Sequence, residues 1–330
     1  MRIRMFRNLF HPERYHGHGR KPPYFEGWYY KLVDRTERHR LAIIPGIFLS
    51  DDPEHHHAFV QVLDGTSGNA GYHRYPASAF EAARDRFDVR IGPNRFSGSG
   101  FSLDLANGNG SVAGAVELID PTSWPVTATS PGIMGPYGWI PMMECNHGVV
   151  SLDHRLAGTL TVDGAPVDFS GGRGYAEKDW GKSFPAGYVW MQSNHFAAAG
   201  TSFVASIAIV PWLFSAFPGF IIGLWHDGSL HRFATYTRAE TEHLRITDDL
   251  VEWRVSDRSR VLTITARRAR GGLLYGPTRQ QMGDRVGETM LSNITLSLRS
   301  REGEVIFEGT GRHAGLELHG DLDRLLAMQT

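Results

Sequence analysis

The chain has 330 residues, 41% of them hydrophobic and 21% charged, with a formal net charge of −1 at pH 7. Such numbers suit a globular protein with room for two domains, each able to bury its own core. They exclude a global field that would draw nucleic acid or an anionic surface, and the single cysteine, Cys145, excludes an intramolecular disulfide.

Residues 1–21 read as an N-terminal arm. Met1-Arg2-Ile3-Arg4-Met5-Phe6-Arg7 is basic but holds no apolar run long enough for a signal peptide. From there the chain alternates or runs apolar over short stretches between Gly, Asn, Asp and Pro, which is the strand pattern. Strands are expected at Gly27–Val33, Arg40–Leu49, Ala58–Leu63, Phe87–Ile91, Phe101–Leu105, Gly114–Leu118, Gly148–Leu152 and Arg155–Val162. The second half offers Gly187–Phe196, Thr201–Val210, Phe220–Trp225, Ser229–Tyr236, Val251–Val255, Arg260–Arg267, Thr289–Leu298 and Val305–Gly309. Asp64-Gly65, Asn107-Gly108, Asp163-Gly164, Asp227-Gly228 and Glu302-Gly303 supply turn chemistry between them. Ala77–Ala83, Thr237–His243 and Leu322–Met328 are the few candidates for short helices. No segment reaches the ~18 continuous apolar residues of a membrane span. The most apolar stretch, Phe203 to Leu224, is broken by Pro211, Pro218 and Gly219. A cytoplasmic protein is expected, with peripheral membrane contact possible if its ligand is a lipid.

The chain also repeats itself. Ala42-Ile43-Ile44-Pro45-Gly46-Ile47-Phe48 returns as Ala208-Ile209-Val210-Pro211-Trp212-Leu213-Phe214, and His73-Arg74-Tyr75 as His231-Arg232-Phe233. Phe87-Asp88-Val89-Arg90-Ile91 returns as Val251-Glu252-Trp253-Arg254-Val255, and Glu144 falls over Glu288. Matches kept in order at so long a period imply two copies of one domain. The reading is therefore all-β, with tandem lipocalin-like β-barrel domains at 22–180 and 181–330 related by internal duplication. A sandwich is the main competitor.

Two segments concentrate aromatic and charged side chains: Pro23-Tyr24-Phe25-Glu26-Gly27-Trp28-Tyr29-Tyr30-Lys31 and Gly174-Tyr175-Ala176-Glu177-Lys178-Asp179-Trp180-Gly181. A carboxyl group walled by rings loses solvation, so its acid form is favoured and it becomes a proton donor near neutral pH. Aromatic faces can also stabilise a cation, for ~0.5–2 kcal/mol each. Against this stands the ordinary role of such residues as core plugs and surface ion pairs. Glu177 and Asp179 share one strand face, Lys178 and Trp180 the other.

Phe25-Glu26-Gly27-Trp28-Tyr29-Tyr30, then Tyr175-Ala176-Glu177-Lys178-Asp179-Trp180-Gly181 with Phe184-Pro185, then Trp190-Met191-Gln192-Ser193-Asn194 and Gly287-Glu288, resemble the tocopherol cyclase family. More distantly the chain is similar to carotenoid hydratases and lipocalin-like cyclases. Asp179 stands where that family more often has Asn. The resemblance implies cofactor-free acid chemistry on a prenylated quinol. An acid protonates the prenyl double bond, and the phenol oxygen closes on the tertiary cation to form a chroman. Water must be excluded, or it captures the cation. The resemblance makes Asp179 or Glu177 the expected acid, with Glu26 and Glu144 next. Trp28, Tyr29, Tyr175, Trp180 and Trp190 would line the cavity, Gln192 or Asn194 would orient the quinol hydroxyl, and Glu288 joins the substrate-binding set. A hydratase or pericyclic cyclase on another lipophilic substrate is the nearest rival, and a non-catalytic carrier of lipophilic ligands the other.

No metal site is expected from the 16 histidines. His55-His56-His57 cannot all converge from a strand, and Glu144-Cys145-Asn146-His147 lacks zinc spacing. His147 and His195 read as hydrogen-bonded core or cavity residues. There is no Gly-x-Gly-x-x-Gly after a strand, no P-loop and no Gly-x-Ser-x-Gly elbow. The expected partner is a lipophilic small molecule, not nucleic acid.

Overall fold

A computed structural model describes residues 9–106, 110–140 and 143–329, except for the side chains of Asp284 and Arg285. The expected Asn107-Gly108 turn lies outside these residues. Two compact units emerge, one ending at Phe184 and completed by Leu273–Arg285, the other formed by Pro185–Gly272 with the residues from Val286 onward.

In the first unit the strands are β1 (Tyr24–Val33), β2 (Arg40–Leu49), β3 (His57–Asp64), β4 (Ala70–Pro76), β5 (Phe80–Ala82) and β6 (Asp88–Ile91). They continue as β7 (Asn94–Ser97), β8 (Gly100–Leu105), β9 (Val112–Thr122), β10 (Cys145–Val162), β11 (Ala165–Asp168) and β12 (Arg173–Gly181). The sheet runs β4-β3-β2-β1-β12-β10-β9-β8-β7-β6-β5, with β11 on β10, and β3 comes back beside β6. Alternation then sorts every strand into an inner and an outer row. Trp28, Tyr30 and Leu32 of β1 join Phe96, Phe101, Leu103, Val116, Leu156 and Leu160 in one apolar core. Tyr15 of the arm belongs to the same core. On the other row, Phe25 packs with Phe48 and Phe59. The Leu273–Arg285 segment is tied to this unit by Gln61, which both donates to and accepts from the Tyr275 backbone, and by Ser50 bonding the Gln280 carbonyl.

The second unit repeats the plan with β13 (Gly187–Ser193), β14 (Ser202–Trp212), β15 (Ser215–His226), β16 (Ser229–Ala234), β17 (Glu240–Ile246), β18 (Leu250–Ser256) and β19 (Arg260–Arg267). After them come β20 (Gly272–Pro277), β21 (Met282–Ser300) and β22 (Val305–Gly320), then a helix at Leu322–Ala327. The order is β16-β15-β14-β13-β22-β21-β19-β18-β17, with β20 on β21. In both sheets the opening strand is flanked by the second strand and by a late strand, and two more strands follow outward in chain order. The duplicated segments occupy equivalent strands: Ala42–Phe48 lies on β2 and Ala208–Trp212 on β14, His73–Tyr75 on β4 and His231–Phe233 on β16. The chain is thus all-β, with tandem lipocalin-like domains.

Two expected helices are corrected. Ala77–Ala83 is a single 3-10 turn, Ala77–Ala79, followed by β5, which pairs with β6 through Phe80 and Ile91. Thr237–His243 mostly joins β17, whose ladder to β18 begins at Glu240 opposite Ser256. Both stretches are too short to nucleate a helix against a neighbouring strand that offers every backbone group a partner. Among the described residues no helix is long and apolar enough to cross a membrane.

Candidate active site

The densest chemistry sits on β12, which was not among the expected strands. It lies between β1 and β10, so both of its edges are paired and its side chains divide cleanly between two faces. Register fixes who meets whom. Glu26 stands opposite Trp180 and Trp28 opposite Lys178; on the alternate rows Tyr29 faces Glu177 and Gly27 faces Asp179. Across the other edge His147 faces Asp179 and Val149 faces Glu177.

On the inner row Glu26 and Lys178 form a fully buried ion pair, Oε1 to Nζ at 2.6 Å. The arm completes it. The His16 backbone N–H donates to both Glu26 carboxylate oxygens at 2.9 Å, His16 Nδ1 lies 2.6 Å from Lys178 Nζ, and the ammonium also donates to the Arg14 carbonyl. Tyr24 donates its hydroxyl to Glu26. The ammonium lies 5.1 Å from the Trp28 ring centroid and 4.6 Å from that of Trp180, on which His16 is stacked. Aromatic walls were expected to raise the Glu26 pKa. Burial does push upward, but the Lys178 charge and the His16 hydrogen bond and charge outweigh it, and the group is held at about 2. Glu26 is therefore a carboxylate without a proton to give, and the cation that Trp28 and Trp180 face is the protein's own.

The outer row is different. His147 Nδ1 bonds Asp179 Oδ1 at 2.9 Å, and its Nε2 lies 3.4 Å from Glu177 Oε2. Tyr175 donates its hydroxyl to Glu177 Oε2 at 2.5 Å. Burial alone would strip the imidazole of its proton, but Glu177 and Asp179 reverse this and lift it from 6.5 to about 9. An imidazolium thus sits between two carboxylates. Accessibility is graded across the set: the Glu177 side chain is 6% exposed, His147 13% and Asp179 29%. Asp179 is the member that meets the outside. Tyr175, fully buried and beside Glu177, has its hydroxyl held well above its ordinary value by burial and by that charge, so it stays a donor. Lys31, also fully buried, stands opposite Tyr175. The ligand atoms of His147, Glu177 and Asp179 lie within 4.8 Å of one another, so these are also the side chains that could hold a metal ion.

The remaining expected residues fall elsewhere. Glu144 precedes β10 and accepts from Ser183 Oγ at 3.1 Å. Tyr29 is buried in the row of Glu177. Trp190, Gln192, Asn194 and Glu288 belong to the second unit. Val189 and Met191 of β13 enter its core, so Trp190 and Gln192 occupy the opposite face, where Trp190 is level with Glu317 and Glu317 in turn with Glu288. Asn194 Oδ1 pairs with His195 Nδ1 at 3.0 Å. Sequence reasoning assigned no acid–base role to His147. Its partner is 32 residues away and joined only through a bulged ladder, and the sole signal was its place two residues beyond Cys145 at the start of a strand.

A family model described as tocopherol cyclase-like matches residues 119–320. The chain is 24% identical over 201 residues to the chloroplastic tocopherol cyclase of Zea mays, in an alignment covering 56% of this chain and 41% of the maize protein. It therefore spans less than half of that relative. Among solved structures it is similar to CghA, with a TM-score of 0.57 at 11% identity over 91% of this chain and 89% of that one. It is likewise similar to kievitone hydratase from Nectria haematococca, with a TM-score of 0.50 at 11% identity over 90% and 89%. At such identities the structural likeness speaks for the fold alone.

Proposed function

We propose, for a chain that belongs to the tocopherol cyclase-like family, that it is an enzyme closing a ring on a prenylated quinol or related isoprenoid by acid catalysis. The supporting observation is the partly buried set of His147, Asp179 and Glu177, in which His147 holds a proton against the pull of burial.

With water present the proton rests on His147 as an imidazolium beside the Asp179 carboxylate. An apolar guest arriving at Asp179 removes water, and low dielectric penalises separated charges. The 2.9 Å hydrogen bond then lets the proton cross to Asp179, giving a neutral imidazole and a carboxylic acid. Asp179, the most open of the three, delivers it to the alkene carbon that leaves the cation on the tertiary centre. The phenol oxygen of the same molecule forms the new C–O bond, and its proton returns to the Asp179–His147 couple. Atoms balance and no redox partner is required. Positioning contributes strongly because nucleophile and cation are tethered. Glu177, bonded by Tyr175, keeps a negative charge near the developing cation. Water reaching the cation first would give a tertiary alcohol, so hydration is the competing outcome of the same step.

The test is turnover of a prenylquinol by separately made Asp179→Asn, Glu177→Gln and His147→Asn proteins. Asp179→Asn and His147→Asn are expected to lose at least about 10²-fold, the usual scale for a removed acid–base group, with Glu177→Gln less affected. Chelation is expected to leave wild-type turnover unchanged. Full activity in both Asp179→Asn and His147→Asn sinks the assignment.

A further inference from the structure

The β14–β15 hairpin ends in Trp212-Leu213-Phe214. Leu213 is 82% exposed, Phe214 fully exposed and Trp212 42% exposed. Three large apolar side chains in succession at one tip are uncommon on a surface that faces only water. The ribbon also projects. β14 pairs with β13 only as far as Ala208, and β15 pairs with β16 only from Ile221. Ile209–Trp212 and Ser215–Pro218 pair with each other beyond those rows, a reach of about 13 Å at ~3.3 Å per residue. From Ser202 to Trp225 the sequence contains no Asp, Glu, Lys, Arg or His.

The turn itself argues against chance. Two other two-residue hairpins in the chain meet the demand for left-handed backbone with Asp-Gly: Asp163 at φ 48° with Gly164, and Asp227 at φ 48° with Gly228. Here the left-handed position, φ 51°, is held by Leu213, followed by Phe214. A branched apolar residue is disfavoured there, where Asn or Gly would be strain-free. Local turn chemistry has been set aside for an apolar tip.

We propose that this hairpin tip is a membrane-docking element that inserts Leu213 and Phe214 into the acyl region of a lipid bilayer, with Trp212 at the headgroup level. Trp is suited to that boundary, and a charge-free ribbon enters without burying an ion. A second copy of the chain fits less well. Three side chains offer at most ~250 Å² each, short of the ~800 Å² per partner of a standard interface. Attraction through hydrophobic insertion is expected to persist on neutral lipid and at high salt, unlike a basic patch. The inference does not depend on the chemistry assigned to Asp179.

The experiment is flotation of the protein with phosphatidylcholine vesicles, comparing wild type with the Leu213→Asn/Phe214→Gly double variant. That variant puts Asn at the left-handed position that Leu213 now occupies, so its thermal midpoint should hold or rise. Wild type is expected to co-float, with tryptophan emission quenched by brominated lipid, and the variant to partition at least roughly tenfold less. Turnover of detergent-dispersed prenylquinol should be equal in the two proteins, which separates a failure of docking from a failure of catalysis. Equal flotation of both proteins overturns the proposal. So does absence of wild-type binding, and so does a wild-type dimer that the variant dissolves without any vesicle binding.

Discussion

His147 keeps its proton because two carboxylates lie within 3.4 Å of its ring nitrogens, and this ties stability to pH. An imidazole whose folded value, about 9, exceeds its ordinary 6.5 stabilises fully below pH 6.5, and the effect is lost as pH rises through 9. That displacement corresponds to about 3 kcal/mol. The thermal midpoint of the wild type is therefore expected to fall between pH 6.5 and pH 9.5 by more than that of His147→Asn. Parallel curves for the two proteins would show that the imidazole carries no such charge. At this scale the sequence was half legible. Glu177 and Asp179 stood out through spacing and resemblance, whereas the histidine that turns two carboxylates into a proton store is visible only through the β10–β12 register.

Strand β12 holds two chemistries apart by alternation alone. Lys178 lies between Glu177 and Asp179 in sequence yet points to the opposite face, into the Glu26 pair and the arm. That pair is 152 residues apart, so no local pattern could have announced it. Its consequence is structural: the arm's backbone closes over the ion pair, and Trp28 Nε1 bonds the Glu13 carbonyl at 2.9 Å. Glu26→Gln would leave the Lys178 ammonium buried without its counter-charge, at an expected loss of about 3–5 kcal/mol. Chemical denaturation would measure it, and a loss under about 1 kcal/mol would mean that the pair does not anchor the arm. The corrected helices belong here too. Ala77–Ala83 and Thr237–His243 carry some helical spacing, but each lies next to a strand edge, and pairing overrides propensity.

For the whole molecule, the duplication is legible in the sequence because strand order and apolar alternation left ordered traces in Ala42–Phe48 and Ala208–Phe214. Less readable was the excursion of Leu273–Arg285 to the first unit, which rests on long-range hydrogen bonds such as the pair between Gln61 and the Tyr275 backbone. The first unit carries the His147–Glu177–Asp179 set on β10 and β12, while the corresponding β21 and β22 of the second carry Glu288 opposite Glu317.

The most direct test of proton-driven ring closure is to run wild-type turnover of a prenylquinol in D₂O and weigh the product. The expected product is a chroman one mass unit heavier than the protiated isomer, with one carbon-bound deuterium beside the new quaternary centre. A chroman without deuterium would mean that the ring closes without protonation of the alkene, and the account built on Asp179 and His147 would be contradicted.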